Sequence, residues 1–297
     1  MTNGQEPIAM LIAVSSADRL DLWQAIVLGF VQGATEFLPI SSTAHLKVVP
    51  VVLGWGDPGV AFTAVIQLGS IVAVLSYFRQ DLTYVLRGLV SAVRRQDFRS
   101  EPAQMGLGIL FGTIPILIGG LLIKRFIPDY DNSPLRSLAA IAIVSIVMGL
   151  LLGIAEQLSK HQRDLSQLRL ADGLWMGFAQ ALALIPGVSR SGSTLTAGLF
   201  QGLKRDTAAR FSFLLGIPAI TIAGLVELKD LLEAGIDGSS LGVLAIGTLS
   251  SLIFSWLAIA WLLRFLRTHN TWSFVVYRII FGGVILTAIA TGTLQNI

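Results

Sequence analysis

Two short polar segments hold most of the residues in this chain that could do chemistry. The first, residues 32–45 (QGATEFLPISSTAH), contains a carboxylate, a carboxamide, an imidazole and several hydroxyls. The second, residues 186–194 (PGVSRSGST), adds a guanidinium to another group of hydroxyls. Arginine together with hydroxyls and backbone amides is a set that binds phosphate, and a serine beside a base can be a nucleophile. The pair of segments therefore indicates a site for a phosphate or a similar anion.

A candidate nucleophile and base occur together in the first segment. His45 follows Ser42 by three residues, so in a helix both side chains point the same way. This spacing predicts a nucleophile with its general base. The plainer alternative is that His45 hydrogen-bonds a backbone carbonyl. The other two histidines, His161 and His269, lie in polar loops.

The hydroxyls and glycines of both segments predict an anion-binding cradle. Each serine or threonine taken alone is well explained as a helix N-cap. Taken together, two helix N-termini beside one arginine would offer amides, hydroxyls and positive dipole ends to the same ligand. The residues concerned are Ser41, Ser42 and Thr43 in the first segment, and Gly187, Ser189, Ser191, Gly192, Ser193 and Thr194 in the second.

The composition of the rest of the chain is that of a membrane protein. Hydrophobic residues make up 54% of the 297 residues and charged residues 13%, against roughly 25% charged in soluble domains. The absence of cysteine excludes disulfides and cysteine-based metal sites. We therefore expect a polytopic membrane protein with the bilayer as its partner, and no nucleic-acid partner.

Six apolar stretches approach the roughly 20 residues needed to cross a bilayer. They are residues 60–78, 105–123, 137–155, 211–226, 241–263 and 274–292. Two further regions contain a helix that stops at Pro39 or Pro186 and a second short helix after it. Irregular backbone inside a bilayer must be buried by protein or reached by water. These regions are therefore predicted to be re-entrant hairpins.

The distribution of Lys and Arg orients the predicted spans. The loops 79–104, 156–172, 204–210 and 264–273 share one face and carry thirteen of them, against four on the opposite face. The positive-inside rule makes the first face cytoplasmic and places the first hairpin on the outer side.

The same layout predicts the fold class. Each half has three spans, an odd number, so the halves 22–155 and 172–292 would be inverted repeats. Gly29-Phe30-x-Gln32 recurs as Gly177-Phe178-x-Gln180, which supports the duplication. We expect an all-α, single-domain polytopic membrane protein with two inverted-topology repeats, each with a re-entrant hairpin, and residues 1–20 as an N-terminal extension. Residues 82–93 predict an amphipathic interfacial helix.

Glu36 needs an oppositely charged partner if it lies inside a bilayer. An ionised glutamate inside a bilayer costs roughly 2.5–3.5 kcal/mol on insertion scales. Arg190 is the cation at the matching place in the other half, and Gln32 shares a helix face with Glu36 at i,i+4. The alternative is an ion pair that only locks the two hairpins together.

The segments QGATEFLPISSTAHL and PGVSRSGST closely resemble the two signatures of the undecaprenyl-diphosphate phosphatase family, the membrane proteins associated with bacitracin resistance. The likeness extends to IQLGSI at 66–71, FSFLLGIP at 211–218 and YR at 277–278. This resemblance implies hydrolysis of undecaprenyl diphosphate to the monophosphate carrier lipid and phosphate, in support of peptidoglycan synthesis. It also implies a location in the cytoplasmic membrane with the site open to the outer side.

The resemblance further implies roles for single residues. Glu36 falls on a catalytic or metal-binding position, Ser42 on the nucleophile, His45 on the family's histidine and Arg190 on its phosphate-binding arginine. A divalent cation, Mg²⁺ or Ca²⁺, would rest mainly on Glu36 and substrate oxygens, because Gln32 is not an anionic ligand. The remaining substrate-binding predictions are Gln32, Ser41, Thr43, Gly187, Ser189, Ser191 and Thr194.

Several alternatives remain open from the sequence. A lipid-phosphate or anion transporter or flippase is the alternative function, because carriers also build sites from broken helices. The phosphoryl group could pass to Ser42 or directly to water. Arg278 could touch the site or extend to the membrane surface. The predicted ligand is a polyprenyl diphosphate lipid, and a homodimer is a possible assembly.

Overall fold

The described part of the chain is entirely helical. The computed structural model describes residues 20–56, 58–127, 130, 133–234 and 241–296, and within them there are eleven α-helices and no strand. The helices are α1 (Leu22–Phe37), α2 (Ser42–Val52), α3 (Val60–Tyr77), α4 (Arg79–Arg95), α5 (Glu101–Phe126), α6 (Leu138–Leu158), α7 (Leu170–Ala181), α8 (Arg190–Phe200), α9 (Arg205–Ala234), α10 (Leu241–Phe265) and α11 (Trp272–Ala290). The predicted all-α class is confirmed. Residues 1–19 of the predicted N-terminal extension lie outside the described residues.

The helices have the lengths and composition of a multi-pass membrane protein. Five of those described, α5, α6, α9, α10 and α11, are long and apolar enough to cross a bilayer. A sixth span is obtained when α3 and α4 are taken as one bent pair, with 68° between them. The stretch 211–226 lies within α9 and is lengthened by its flanking residues. The structure thus confirms the polytopic class.

The two predicted helix breaks are present. Helix α1 begins with a capping box, in which Asp21 Oδ1 accepts from Gln24 N at 2.7 Å. It ends at Phe37, because Leu38 adopts an extended conformation before Pro39. Helix α7 ends in the same way, through a single 3₁₀ turn, Leu182–Leu184, shortly before Pro186. Each break is followed by an 11-residue helix, α2 or α8.

Glycines let the first helix of each broken pair approach a helix from the other half of the chain. Helix α1 packs on α10, and a Cβ on Gly29 would overlap the Gly247 carbonyl. Helix α7 packs on α5, and a Cβ on Gly177 would overlap the Gly112 carbonyl. Small residues at such contacts allow membrane helices to pack through their backbones. These two contacts hold α1 and α7, and therefore the polar segments that follow them.

The largest apolar core lies around α9. Phe211, Phe213, Leu214 and Leu215 are almost wholly buried there. Phe37, the last residue of α1, packs edge-on against Phe213 with ring centroids 5.3 Å apart. The end of α1, from which the site begins, is therefore anchored in the core.

The amphipathic helix predicted at 82–93 lies within α4. Val85 and Ala92 are buried, and Gly88 sits against Pro102 of α5. Leu86 and Val93, from the apolar side of α4, are exposed. An exposed apolar stripe on a helix turned away from the preceding span suits a position along the membrane surface.

Changing Gly29 to alanine is expected to destabilise the protein by roughly 1–3 kcal/mol, because the new methyl group has to separate α1 from α10. Unfolding of purified protein in detergent measures this change. Gly283→Ala is the matched control, since Gly283 is also within a helix and has open space where a Cβ would be built. Equal stability of the two variants would contradict close packing at Gly29.

Candidate active site

The turn before each short helix is capped by a serine in an unusual backbone conformation. Ser41 has φ 76° and its side chain accepts a hydrogen bond from Ala44 N. Ser189 has φ 70° and its Oγ accepts from Gly192 N at 3.1 Å. A positive φ is uncommon for a residue with a side chain and costs on the order of 1–3 kcal/mol. Each of the two polar segments therefore contains a strained, serine-capped turn of the same kind.

A small cavity of about 150 Å³ lies where the two turns face each other. Most of the predicted site residues line it, together with apolar residues from α5 and α9 and one glutamine from α3. The lining consists of Glu36, Ser41, Ser42, Thr43, Gln67, Ile116, Ala183, Ile185, Pro186, Gly187, Ser189, Arg190 and Ile220. The two polar segments thus form one site, as the sequence predicts.

Glu36 is the centre of the polar contacts in this cavity. Its Oε2 accepts a hydrogen bond from Ser42 Oγ at 2.7 Å and another from Gln32 Nε2 at 3.2 Å. Its Oε1 accepts from Arg190 Nη2 at 3.3 Å. The expected Glu36–Arg190 pair is therefore formed across the two halves. Ser42, the expected nucleophile, lies against a carboxylate that can take its proton.

Arg190 has hydrogen-bonding capacity to spare. Its Nε and Nη1 are buried and have no hydrogen-bond partner among the described residues. Buried donors are nearly always satisfied, so two unsatisfied N–H groups beside a cavity indicate a missing acceptor. Space for the guanidinium comes from Gly216 of α9, where a Cβ would coincide with Nη1. Gly216 was not singled out from the sequence, because its importance depends on a side chain from another helix.

Gln32 is anchored on its far side by a buried hydroxyl network. Its Nε2 lies 3.4 Å from Ser70 Oγ of α3. Ser70 Oγ in turn contacts Ser251 Oγ at 3.0 Å and Ser255 Oγ at 2.8 Å, both on α10. Gln32 therefore connects Glu36 to two other helices. It is not among the residues that line the cavity, and its contact with Glu36 helps to position the carboxylate.

His45 forms no hydrogen bond with Ser42 among the described residues. Its Nδ1 is 2.7 Å from the Ser41 carbonyl oxygen and its Nε2 is 2.6 Å from Tyr277 Oη. The ring also stacks on Phe281, with centroids 4.5 Å apart. Both nitrogens are thus engaged away from the cavity, which matches the plainer alternative of a histidine bound to a carbonyl. The predicted hydrogen-bonded pair of His45 with Ser42 is therefore not formed: the side chain in contact with Ser42 is the Glu36 carboxylate, and His45 is bound to the Ser41 turn.

The other predicted binding residues have different positions. Thr43 lies exposed at the cavity, whereas Ser41 and Ser189 are occupied as caps. Ser191 Oγ donates to the Leu38 carbonyl at 3.0 Å and so joins the two segments. Thr194 is buried against Ser212 of α9 and does not line the cavity. Gly187 lines the cavity and has φ +91°.

Arg278, for which the sequence allows either a place at the site or one at the membrane surface, joins both turns. It is 1% exposed, and its hydrogen-bond acceptors among the described residues are backbone carbonyls. Its Nη1 donates to Pro39 O at 3.1 Å and to Val188 O at 3.2 Å, while Nη2 donates to Gly187 O at 2.7 Å. Its Nε donates to Ser145 O at 3.0 Å. Arg278 therefore holds the two turns together and does not extend to the membrane surface.

Replacing Arg278 with methionine is expected to cost roughly 3 kcal/mol or more, because several buried carbonyls lose their donors at once. Detergent unfolding of Arg278→Met and of Arg278→Lys measures the effect, and the lysine variant should lose less because it keeps a donor. An unchanged unfolding midpoint in Arg278→Met would contradict this role.

The carboxylates do not gather into a metal-binding cluster. No group of three or more His, Cys, Asp or Glu side chains able to hold a metal ion occurs in the described part of the chain. Glu36 is the single carboxylate among the described residues that line the cavity, and both of its oxygens already have partners. A divalent cation there would need phosphate oxygens from the substrate as most of its ligands, a pattern usual for Mg²⁺.

Comparisons with known proteins identify the family of this chain. Residues 25–284 match the sequence model of the family described as bacitracin resistance protein BacA. Relatives named undecaprenyl-diphosphatase occur in Nostoc sp., with 66% identity over 94% of this chain and 87% of the relative, and in Synechocystis sp., with 63% identity over 94% and 86%. One from Trichodesmium erythraeum is 56% identical over 95% of this chain and 91% of the relative. This chain belongs to the bacitracin resistance protein BacA family.

Proposed function

We propose that this chain hydrolyses undecaprenyl diphosphate to undecaprenyl phosphate and inorganic phosphate. The observation that carries the proposal is the contact of Ser42 with Glu36 beside Arg190, whose buried donors lack acceptors. The name of the relatives, undecaprenyl-diphosphatase, supports this substrate. The activity returns the carrier lipid to peptidoglycan synthesis and accounts for bacitracin resistance.

The first step forms a covalent intermediate. Ser42 Oγ attacks the terminal phosphorus and gives its proton to Glu36 Oε2, 2.7 Å away. The bond from that phosphorus to the bridging oxygen breaks, and undecaprenyl phosphate leaves with the bridging oxygen. The products of this step are the lipid monophosphate, a phosphoserine at position 42 and a protonated Glu36.

The second step is hydrolysis of the phosphoserine. Water attacks the phosphorus, the bond to Ser42 Oγ breaks, and Glu36 returns its proton to that oxygen. The proton of the attacking water leaves on the inorganic phosphate, so the enzyme is restored. A single carboxylate in contact with Ser42 serves as base in the first step and as acid in the second.

Arg190 binds the diphosphate and stabilises the transferring phosphoryl group. Its free Nε and Nη1 donors suit phosphate oxygens, and its pairing with Glu36 places those oxygens next to Ser42. Phosphoryl transfer depends mainly on positioning and charge stabilisation, so a preset guanidinium is its most useful group. The N-terminal amides of α8 act from the same side.

A divalent cation, Mg²⁺ or Ca²⁺, is proposed as a cofactor that would bind together with the diphosphate, because Glu36 is the one carboxylate among the described residues that line the cavity. Glu36 would hold it, with substrate oxygens completing its coordination. When bound, such an ion would neutralise charge on the diphosphate. Chelation and re-addition of each ion, followed by phosphate release, tests the requirement.

The chain is proposed to lie in the cytoplasmic membrane as a single domain with its site open to the outer side. Thirteen Lys or Arg residues in four loops, against four in the opposite loops, support this orientation. Inverted repeats are supported by the matching strained turns at Ser41 and Ser189, which are 148 positions apart. A homodimer stays a prediction, for which the mass of the detergent-solubilised protein is the measurement.

Phosphate release by purified protein in detergent decides between the hydrolase and a carrier. No transport can be scored without a sealed membrane, so release from undecaprenyl diphosphate reports hydrolysis alone. Failure of the wild-type protein to release phosphate, with binding intact, would favour a lipid-phosphate or anion carrier. A carrier has no use for the Ser42–Glu36 contact, which is why hydrolysis is proposed.

A further inference from the structure

Gln67 of α3 is a polar side chain of the cavity that the reaction above leaves unused. It lines the same cavity as Ser42 and Arg190 and is half-buried. Among the described residues it has no hydrogen-bond partner, whereas Glu36, Ser41, Ser189 and Arg190 all have one. An amide is therefore available there for a ligand or for water.

The backbone that carries Gln67 is held firmly. Two residues later, Gly69 lies so close to α10 that a Cβ would overlap the Thr248 carbonyl. Ser70, three residues after Gln67 and on the same helix face, is bound to Ser251 and Ser255 of α10. The position of Gln67 relative to the cavity is thus set by packing, which a catalytic side chain requires.

Gln67 and Ser42 line the same small cavity. Its volume of about 150 Å³ is well above the roughly 10–15 Å³ of such space that one water molecule needs, so the cavity can hold several waters. A phosphoryl group on Ser42 and a water beside it would both fit in this space. A water beside that group would lie between it and the cavity wall, of which Gln67 is a polar part.

The second step needs a group to orient water that the first step does not supply. Glu36 carries the proton of Ser42 after the first step and has to return it to the same oxygen. Arg190 and the α8 amides only donate hydrogen bonds, so they bind phosphate oxygens rather than align the lone pair of water. A carboxamide can accept from the water through its oxygen and donate to a phosphoryl oxygen through its nitrogen.

We infer that Gln67 is a catalytic residue that orients the water which hydrolyses the Ser42 phosphoserine. The inference rests on the proposed function. The amide oxygen of Gln67 accepts a hydrogen bond from the attacking water, and its NH₂ group donates to a phosphoryl oxygen. Gln67 takes no proton; the bond changes are those of the second step above. Neutral glutamine is suited to this place because it adds no repulsion against the phosphoryl charge.

The test is a pre-steady-state comparison of wild type, Gln67→Met and Gln67→Leu with undecaprenyl diphosphate in detergent. Methionine keeps the length of the side chain and removes its hydrogen bonds, and the leucine variant guards against an effect of one particular shape. Release of lipid monophosphate, release of inorganic phosphate and phosphorylation of Ser42 are measured separately. Gln157→Leu, an exposed position on α6, is the matched control.

The expected result is a stoichiometric burst of lipid monophosphate followed by phosphate release slowed about 100-fold, a typical effect of lost positioning. Phosphorylated Ser42 should accumulate in both Gln67 variants. It should not accumulate in the wild-type protein or in the control variant Gln157→Leu. Turnover at the wild-type rate in both Gln67 variants would overturn the inference. Equal slowing of both product releases without phosphoserine would also overturn it, since the side chain would then act on binding or folding.

The two proposals fail differently in this experiment. If the wild-type protein releases no phosphate at all, the proposed function fails and the role of Gln67 falls with it. The wild-type protein could instead hydrolyse the lipid while the Gln67 variants either keep the wild-type rate or slow both product releases without accumulating phosphoserine. In that case only the role of Gln67 is lost. Unfolding midpoints equal to wild type exclude a folding defect in either variant.

Discussion

Replacing Ser42 with alanine is expected to lower phosphate release from undecaprenyl diphosphate by about 10⁴-fold or more, the scale seen when a nucleophile is removed from a covalent mechanism. Ser42 is the hydroxyl in contact with the Glu36 carboxylate, at 2.7 Å. Without it the phosphoryl group has no acceptor on the protein, and the remaining groups can only bind the substrate. The measurement is steady-state release of phosphate, with trapping of phosphoenzyme in parallel.

A matched serine variant separates loss of the nucleophile from a general effect of serine removal. Ser76→Ala removes a hydroxyl that only bonds the Ala73 carbonyl of its own helix, so its activity should equal that of wild type. Ser42→Ala should still bind the diphosphate lipid through Arg190. More than a tenth of wild-type activity in Ser42→Ala would show direct attack by water and refute the covalent route.

Replacing Arg190 with alanine is the second change with a large expected effect, about 10³-fold on kcat/KM. Loss of one preset donor to a developing oxyanion typically costs 10²–10³, and a guanidinium on a transferring phosphoryl group supplies still more. The change also leaves Glu36 without its cationic partner. Both side chains are only 9% exposed, so the carboxylate would be left unpaired in a buried position. Phosphate release and lipid binding measured separately distinguish lost binding from lost catalysis.

Two variants test whether the fork of Arg190 matters or only its charge. Arg190→Lys keeps the charge but not the paired N–H groups, so it should recover only a small part of the activity. Gly216→Ala keeps the arginine at position 190 but puts a methyl group into the space that its Nη1 occupies. This variant should therefore also lower the activity. Full activity of Gly216→Ala would show that the observed position of Arg190 is not required.

Much of the site could be predicted because local rules apply to it. Proline ends helices, so Pro39 and Pro186 marked the two breaks. The i,i+4 spacing placed Gln32 against Glu36, and the structure confirms the contact at 3.2 Å. The Glu36–Arg190 pair followed from the cost of an unpaired charge in an apolar chain.

The contacts that could not be predicted connect distant parts of the chain. His45 is held by Tyr277, 232 residues further on, and no spacing rule reveals which nitrogen faces which partner. In the sequence, Arg278 is only a basic residue in an apolar helix. Its role follows from the folded structure, in which it donates hydrogen bonds to both turns. Such assignments depend on tertiary packing, which overrides the local pattern.

The size of the cavity sets what kind of small molecule could inhibit the protein. Sites for drug-sized ligands usually enclose about 300–1,000 Å³, whereas this cavity is about 150 Å³. A drug-sized compound would not be enclosed by it. An effective inhibitor would be a compact anion with two acceptor oxygens matched to the free Nε and Nη1 of Arg190. Its selectivity would come from charge geometry, with little contribution from apolar surface.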